Sequence, residues 1–450
     1  MTRVLVPGGV LGLGFDTRAL QHGIAARPDI IAIDGGSTDS GPNALGTGVS
    51  KYSRAVTRSE WAELMAARSR AGVPLIIGSA GTAGTDAGVD WMLDITREIA
   101  RERNEHLRIA AIYSQVTPET VLAALDDGRI TPLDPAPSCT PEIIRSCTHI
   151  VAVQGTEPFM AALESGADII IAGRATDTAT IAALPLMRGN NPGACWHGAK
   201  IGECGALCST EPLSGCILIE FDADGFTVWP TAPTARCTAQ SVHAHMLYEN
   251  ADPHRLHEPG GTLDVTNAAY NDIADGAVRV TNSRWIPTDP YRVKLEGAAP
   301  AGARTLILAL IRDRHYVRNA ETWKDHLLAH LHATIRDRTT FDPASYTIEI
   351  RLIGINATLG NLENCHSEPT EVGALCIVNA PTQPIATEIA KLCNPFLLHF
   401  PLQGCTEMPS FAFPFSPAEL DCGPQYAFSL NHLMTLSDPM DTSRMVLVET

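Results

Sequence analysis

The chain has 450 residues, of which 45% are hydrophobic and 18% are charged, so it can bury more than one core of ordinary size. Acidic residues outnumber basic residues by 50 to 33, which gives a formal net charge of -17. A field of this sign repels nucleic acids and anionic membranes, and no apolar stretch approaches the roughly 18 residues of a membrane span.

The N-terminal stretch MTRVLVPGGVLGLGF has one positive charge and an apolar run broken by glycines. A secretory signal needs a longer apolar run and a stronger positive start. We therefore expect a cytoplasmic protein, without a membrane or nucleic-acid partner.

The first 185 residues alternate short apolar runs with amphipathic segments. The runs are continuous rather than alternating, which is typical of parallel strands buried on both faces. They lie at residues 3–6, 29–34, 73–79, 107–114, 149–153 and 167–173. The clearest helical pattern runs from Asp86 to Arg103. Because strand–helix–strand crossovers are right-handed, this alternation of strand and helix patterns predicts an α/β fold with a doubly wound, mostly parallel sheet.

From about Cys216 the pattern changes. A hairpin that turns at Asp222–Gly225 is indicated, and helical patterns follow at about residues 242–250, 320–337 and 384–397. We therefore expect an α/β domain over residues 1–215 that carries ligand-binding loops, and a smaller α+β domain over residues 216–450 that packs against it.

Three stretches that contain Thr-Asp follow predicted strands: IDGGSTDSGP (33–42), GTAGTDAG (81–88) and AGRATDTA (172–179). In a doubly wound sheet, ligands bind beyond the carboxyl ends of the strands. Glycine lets the backbone approach a ligand, helix starts offer amides to an anion, and an arginine adds a bidentate donor for a carboxylate. The predicted substrate-binding residues are Ser37, Thr38, Ser79, Thr82, Thr85, Arg174 and Thr176.

Acidic residues in the same segments are candidates for catalysis or metal binding. Asp39, Asp177 and Glu157, which follows a further strand in QGTEP, are candidate general acids or bases. Asp34, Asp39 and Asp86 are alternative ligands for a divalent cation such as Mg²⁺. A structural alternative also holds, because Ser, Thr and Asp cap helices at about 1 kcal/mol each and a first-turn glutamate favours the helix dipole.

Three other motifs can each be interpreted either as functional or as structural. His197, Lys200 and Cys204 recur at helical spacing near Glu203, and they form either a site or a solvated helix face. Four cysteines, at 195, 204, 208 and 216, are either ligands of a metal or iron–sulfur cluster or buried thiols. PGGVLGLG at residues 7–14 follows a strand but does not have the spacing of the dinucleotide fingerprint.

Several longer phrases resemble the acyclic terpene utilisation AtuA family. They are GTEPFMAALESGADIIIAGRATDTA from Gly155, GECG from Gly202, MLYENADPHRLHEPGGTLDVT from Met246 and FAFPFSPAE from Phe411. The family resemblance implies an element similar to ECGGQ at this position. This chain has ECGALC instead, and it therefore lacks the glutamine. The resemblance implies a role in the breakdown of small organic acids or their thioesters, with a short companion protein as a further candidate partner.

Together these features predict a lyase, most simply a hydro-lyase that acts on a small di- or tricarboxylate, a hydroxy acid or its CoA thioester. Arg174 and the hydroxyl-rich loops would hold carboxylates, and Glu157 or an aspartate would move a proton. We expect a homo-oligomer, as is common for enzymes of this size. The alternatives are a non-catalytic subunit of a carboxylic-acid or acyclic-terpene catabolic complex and an NAD-dependent oxidoreductase.

Overall fold

The computed structural model describes residues 1–365, 368–405 and 408–450. The described residues divide into two compact units. Unit 1 comprises Met1–Ala299 and Phe428–Thr450, and unit 2 comprises Pro300–Ala427. The division therefore does not fall at residue 215/216, where the change of sequence pattern suggested it. The reason is that residues 217–221 form a strand of the same sheet as the N-terminal strand.

Unit 1 contains most of the regular structure. Its helices are α1 (Thr17–Ala25), α2 (Asn43–Thr47), α3 (Arg54–Ala71), α4 (Asp86–Arg103), α5 (Pro118–Asp126), α6 (Pro141–Ser146), α7 (Glu157–Glu164), α8 (Ala179–Met187), α9 (Pro192–Gly202) and α10 (Ala239–His245). Its strands are β1 (Thr2–Val6), β2 (Ile30–Asp34), β3 (Leu75–Gly78), β4 (Arg108–Tyr113), β5 (Ile130–Pro132), β6 (His149–Val153), β7 (Ile169–Ala172), β8 (Ile217–Phe221), β9 (Gly225–Pro230), β10 (Arg255–Glu258), β11 (Gly261–Asp264), β12 (Ala269–Ile273), β13 (Ala277–Thr281), β14 (Arg284–Pro287) and the first part of β15 (Arg292–Ile311).

Unit 2 contains the second part of β15, the helices α11 (Arg314–Arg318), α12 (Ala320–Arg338) and α13 (Gln383–His399), and the strands β16 (Thr347–Ile353) and β17 (Val372–Ala380). The strand β18 (Leu420–Thr435) begins in unit 2 and ends in unit 1, where β19 (Arg444–Glu449) follows it. The sequence patterns at residues 320–337 and 384–397 therefore predicted α12 and α13 to within two residues at each end.

The main sheet of unit 1 is mixed rather than mostly parallel. Its order in the described chain is β12-β13-β9-β8-β1-β2-β3-β7-β4-β19. The five central strands, β1-β2-β3-β7-β4, pair in parallel. The strands on either side of these five pair antiparallel. The pairs β8–β9 and β12–β13 are joined by short turns, and only antiparallel strands can be joined in that way. The mixed α/β fold was predicted, but the extent of parallel pairing was overestimated.

The strand β6 corrects a further expectation. Its sequence, HIVAV, was grouped with the parallel strands, but β6 pairs antiparallel with β15, with Val151 opposite Glu296. A continuous apolar run shows only that both faces are buried, and it carries no information about the direction of the neighbouring strand.

Helices cover both faces of the parallel strands. Ile30 and Ala32 of β2 face a core that includes residues of α7, α8 and α9. Ile31 and Ile33 face the opposite core, with residues of α1, α3 and α4. This two-sided burial explains why these strands read as continuous apolar runs. The helix α4 has the bounds that its apolar stripe predicted.

Unit 2 packs two helices on an antiparallel sheet. Alternate residues of β16 and β17 are buried, and they contact one stripe of α12 that contains Trp323, Leu327 and Leu331. No helix in the described ranges is both long enough and apolar enough to cross a bilayer.

Candidate functional site

The three loops that contain Thr-Asp meet beyond the ends of β2, β3 and β7, and they pack backbone against backbone. A side chain at Gly35 would place its Cβ 2.7 Å from the carbonyl oxygen of Gly78, and one at Gly84 would place it 2.1 Å from the amide nitrogen of Arg174. The amide of Ser79 donates to the carbonyl of Gly173 over 3.0 Å. These glycines therefore allow the loops to pack closely against one another. The sequence suggested a different role, in which they let the backbone approach a bound ligand.

A cavity of about 490 Å³ lies beside the first and third loops, within unit 1. We call it the polar chamber. In the described chain its wall includes three cationic side chains, Arg174, Lys200 and Lys294, together with Thr176 and His257. The carboxyl side chains in the same wall are Asp39, Asp177, Glu203, Glu249, Glu258 and Glu296.

An ion pair between Arg174 and Glu296 forms one side of the polar chamber. Arg174 is 7% exposed and Glu296 is 3% exposed, and Nε of Arg174 donates to Oε2 of Glu296 over 2.9 Å. Thr38 donates to the same oxygen over 3.0 Å, and Lys294 contacts Oε1 over 2.8 Å. Burial alone would raise the pKa of Glu296, but the charges of Arg174 and Lys294 outweigh it and lower that pKa to about 2. Glu296 is therefore a permanent carboxylate that holds two cations in place.

The rest of the Arg174 guanidinium is held by its own loop and by Ser79, the residue that follows β3. Nη1 donates to the hydroxyl of Ser79 over 3.2 Å and to the carbonyl of Ala175 over 3.0 Å, and it lies 3.5 Å from Oδ1 of Asp177. We find no hydrogen bond from Nη2 to any described residue. One edge of the guanidinium thus remains for an oxygen of a bound molecule.

A second ion pair, between Lys200 and Glu203, forms another side of the chamber. Both residues lie at the end of α9, are less than 10% exposed and form a buried hydrogen bond. Burial raises the pKa of Glu203 to about 8, and the negative charges of Asp177 and Glu258 act in the same direction, against Lys200. Glu203 can therefore hold a proton at neutral pH.

Glu258, the last residue of β10, faces the same chamber. Its Oε1 accepts a hydrogen bond from Thr178 over 2.7 Å. Burial raises the pKa of Glu258 to about 7, even though hydrogen bonds from Thr176 and Thr178 act to lower it. Burial also raises the pKa of Asp177. Glu203 and Glu258 are therefore poised to exchange protons near neutral pH.

Two of the predicted catalytic residues, Asp39 and Asp177, line the polar chamber, as do Arg174 and Thr176. Thr38 and Ser79 touch its ion pair instead, through Glu296 and Arg174. Ser37 caps a short 3₁₀ turn and donates to Asp39 over 2.7 Å. The first and third loops are thus brought together at one cavity.

The second loop does not reach the chamber. The hydroxyl of Thr82 lies 3.2 Å from that of Ser50 and accepts from the amide of Lys51. Thr85 caps α4 by accepting from the amide of Gly88 over 3.2 Å, which is the structural role that its sequence position also allowed. Asp86 begins α4 and lies 3.7 Å from Arg444.

The three candidate metal ligands are not brought together. Asp86 is beside Arg444, Asp39 lies in the chamber wall, and Oδ2 of Asp34 accepts from the amide of Gly36 over 2.9 Å. No group of three or more His, Cys, Asp or Glu residues with metal-binding geometry is found in the described ranges. Burial, reinforced by the charge of Asp177, raises the pKa of Asp34 well above its ordinary value.

Glu157 begins α7 and lies outside the wall of the polar chamber. Its Oε2 accepts a hydrogen bond from the hydroxyl of Tyr291 over 2.8 Å. Burial raises the pKa of Glu157, and the Tyr291 hydrogen bond opposes this shift. Glu157 therefore has a fixed structural partner, and Glu203 and Glu258 take the positions facing the chamber.

The remaining motifs do not form sites. His197 lies between Ser283 at 2.7 Å and Tyr270 at 3.1 Å, away from the chamber, and burial lowers its pKa to about 3. Cys195 and Cys208 belong to one core and Cys216 to the core on the other face of the sheet, so these thiols do not converge. The start of α1 is capped by the carboxylate of Asp16, which leaves its first-turn amides committed and unsuited to a pyrophosphate.

The sequence-based selection missed Lys200, Glu203, Glu249, Glu258, Lys294 and Glu296 as chamber residues. The first two lie in the motif that contains His197 and Cys204. Glu249 and Glu258 lie in the segment from Met246 that carries the family resemblance. Glu296 and Lys294 lie in RVKLEG, where charged and apolar residues alternate. That alternation places Arg292, Lys294 and Glu296 on one face of β15, and it was the available signal.

The comparisons with known proteins give one match. The model of a family described as "Acyclic terpene utilisation family protein AtuA" matches residues 49–188 and 212–413. The matched ranges include the third Thr-Asp loop, Glu258 and Glu296, whereas Lys200 and Glu203 lie between them. No curated protein and no solved structure matches the chain.

Proposed function

We propose, from the premise that the chain belongs to the acyclic terpene utilisation AtuA family, that it is a lyase whose active site is the polar chamber. The reaction that fits best is the addition or removal of water on an acid, which is the work of a hydro-lyase. The observation that carries this proposal is the convergence of Glu203 and Glu258 on a cavity that also presents Lys200, Arg174 and Lys294.

The two glutamates can supply the two proton transfers that such a reaction needs. A group with a pKa near the working pH is the most effective general acid or base. We assign the base to Glu258, which accepts a hydrogen bond from Thr178 and has a pKa near neutral, and it would take a proton from the carbon next to the substrate carboxylate. With a pKa of about 8, Glu203 would donate its proton to the departing hydroxyl. The C–H and C–O bonds break, a C=C bond forms, and water leaves.

The cations of the chamber fit the charge that develops in this reaction. Removal of the proton places negative charge on the substrate carboxylate, where Arg174 through Nη2, together with Lys200 or Lys294, can stabilise it. The pKa of Glu203, raised to about 8, lets this group hold a proton at neutral pH, which reduces the negative charge that the described wall presents to an anionic substrate. A Mg²⁺ ion beside Asp39 remains an alternative source of stabilisation.

The proposal is tested by incubating the purified protein with hydroxy acids, unsaturated acids and their thioesters, with EDTA or with Mg²⁺, and following alkene absorbance. We expect turnover, and we expect Glu203→Gln and Glu258→Gln each to reduce kcat by roughly a hundredfold or more. Glu164→Gln, at an exposed position at the end of α7, is the matched control and should retain full activity. Loss of activity in the control, or none in the two chamber variants, contradicts the assignment.

The alternative role, as a non-catalytic subunit of an assembly with a short companion protein, makes the opposite prediction. In that case Glu203→Gln would leave the activity of a reconstituted assembly unchanged. The alternative of an NAD-dependent oxidoreductase is not supported by the capped start of α1.

A further inference from the structure

A second cavity, of about 580 Å³, lies beside the polar chamber within unit 1. We call it the apolar chamber because Leu133, Val153, Pro259 and Leu433 contribute to its wall. Val153 also lines the polar chamber, as do Thr176, Glu258 and Lys294. The two chambers therefore share a wall that includes Glu258, the proposed base.

The strand β15 runs along both chambers. Arg292 lines the apolar chamber, Lys294 lines both and Glu296 lines the polar chamber. The alternate residues Val293 and Leu295 are buried in the core on the other face of the strand. At about 3.3 Å per residue, the backbone positions of Arg292 and Glu296 are roughly 13 Å apart. Both chambers therefore lie along the same face of β15 and share wall residues, so an elongated molecule that lies along this strand would contact both.

The charges along this strand differ in one important respect. Lys294 is paired with Glu296 over 2.8 Å. Arg292, in contrast, forms no ion pair and no hydrogen bond that we find in the described chain. The apolar chamber thus offers hydrocarbon side chains and one uncommitted guanidinium, which suits an apolar segment followed by an anionic group.

We infer that the ligand is an elongated acid. Its polar end lies in the polar chamber, an apolar segment lies in the apolar chamber, and a second anionic group contacts Arg292. That the polar end is the reacting end rests on the proposed function, whereas the mode of binding does not. A compact tricarboxylate would fill neither cavity, since cavities of roughly 300–1,000 Å³ accept ligands of drug size.

The anionic group can be the carboxylate of a long diacid or the phosphate of a thioester's carrier arm. Calorimetric titration at pH 6.5 with three series separates these sources: linear monocarboxylates, α,ω-dicarboxylates and S-(ω-carboxyacyl) phosphopantetheines. We expect affinity to rise roughly three- to fourfold per added methylene until the apolar chamber is full. At equal length the doubly anionic ligand should bind more tightly, and Arg292→Gln should remove that advantage. The tighter of the two doubly anionic series identifies the source.

Two variants from separate segments test the apolar chamber itself. Leu433→Trp in β18 and Leu133→Trp after β5 each fill part of the cavity, and each should weaken the binding of long acids by about tenfold, the value of two buried methylenes. Short acids should be unaffected. Leu213→Trp, at a residue that is 96% exposed, is the control, and the thermal midpoint of each variant shows whether it is folded.

The inference is overturned if affinity does not depend on chain length, if the tryptophan variants weaken short and long acids equally, or if Arg292→Gln leaves the diacid advantage intact. The same titrations with Glu203→Gln separate this inference from the proposed function, because Glu203 lines only the polar chamber. Chain-length dependence in the absence of any turnover would support the binding mode while contradicting the lyase.

Discussion

Arg174 and Glu296 form a buried ion pair that organises the chamber more than it stabilises the fold. Taking two charges out of water costs about as much as their attraction returns, so such a pair adds little net stability. Removing one partner is different, because the other charge then stays buried and uncompensated. The pair also fixes the position of Thr38 and Lys294, and it therefore connects three separate segments.

We expect Glu296→Ala to lower the free energy of unfolding by about 3 to 5 kcal/mol, the usual cost of breaking a buried pair. Chemical denaturation measures this change. The control is Glu349→Ala, which removes an exposed partner of Arg351 with both side chains about half exposed and should change stability little. Equal effects of the two variants would show that the pair is not buried as described.

The raised pKa values of Glu203 and Glu258, about 8 and about 7, predict how stability depends on pH. A carboxyl group with a raised pKa binds a proton more tightly in the folded state than in the unfolded state. Its stabilising contribution is complete below the unfolded pKa, near 4.5, and is lost as the pH rises through the folded pKa. The free energy of unfolding should therefore fall between pH 5 and pH 8, and Glu203→Gln should reduce this fall. A steeper or unchanged fall in the variant would contradict the shift.

Among the elements around the chamber, the second Thr-Asp loop contributes through a glycine that packs against the third loop, although the glycine itself does not line the cavity. Gly84 has a φ of +62°, and its Cα faces the backbone of Arg174 so closely that no side chain fits. The second loop therefore supports the third loop through backbone packing, although none of its described residues lines the chamber.

Gly84→Ala should be more destabilising than Gly128→Ala. Both glycines have left-handed backbones, at +62° and +71°, but no atom of the described residues lies within 4 Å of a Cβ at Gly128. The left-handed conformation alone costs about 1 to 3 kcal/mol in either variant, so the difference in unfolding free energy isolates the clash. We also expect weaker ligand binding only in Gly84→Ala. Equal stability losses would mean that the loops are less closely packed.

The elements themselves were largely predictable, but their directions were not. The central strands and the helices α4, α12 and α13 have strong periodic patterns, which report burial on one face or on two. The pattern of β6 could not show its antiparallel partner. The helix α9 is buried on almost every side, so periodicity could not show which of its residues faces a cavity, and His197 appeared equivalent to Lys200.

At the scale of the whole molecule, the chamber depends on contacts between residues far apart in sequence. Thr38, Arg174, Glu258 and Glu296 come from four segments that are brought together by sheet pairing and loop packing. The carboxyl ends of parallel strands share one edge, which predicted the contributions of the first and third loops. The contribution of β15 depends on its pairing with β6, and no local pattern encodes that pairing.

In the proposed reaction, the polar chamber moves a proton next to a substrate carboxylate. The most direct test of this step is the exchange of that hydrogen in D₂O, followed by NMR with the acids that bind in calorimetry. We predict deuterium incorporation with the unmodified protein and its loss in Glu258→Gln at unchanged binding. Exchange that persists in Glu258→Gln, or tight binding with no exchange in the unmodified protein, would show that Glu258 is not the base of such a reaction.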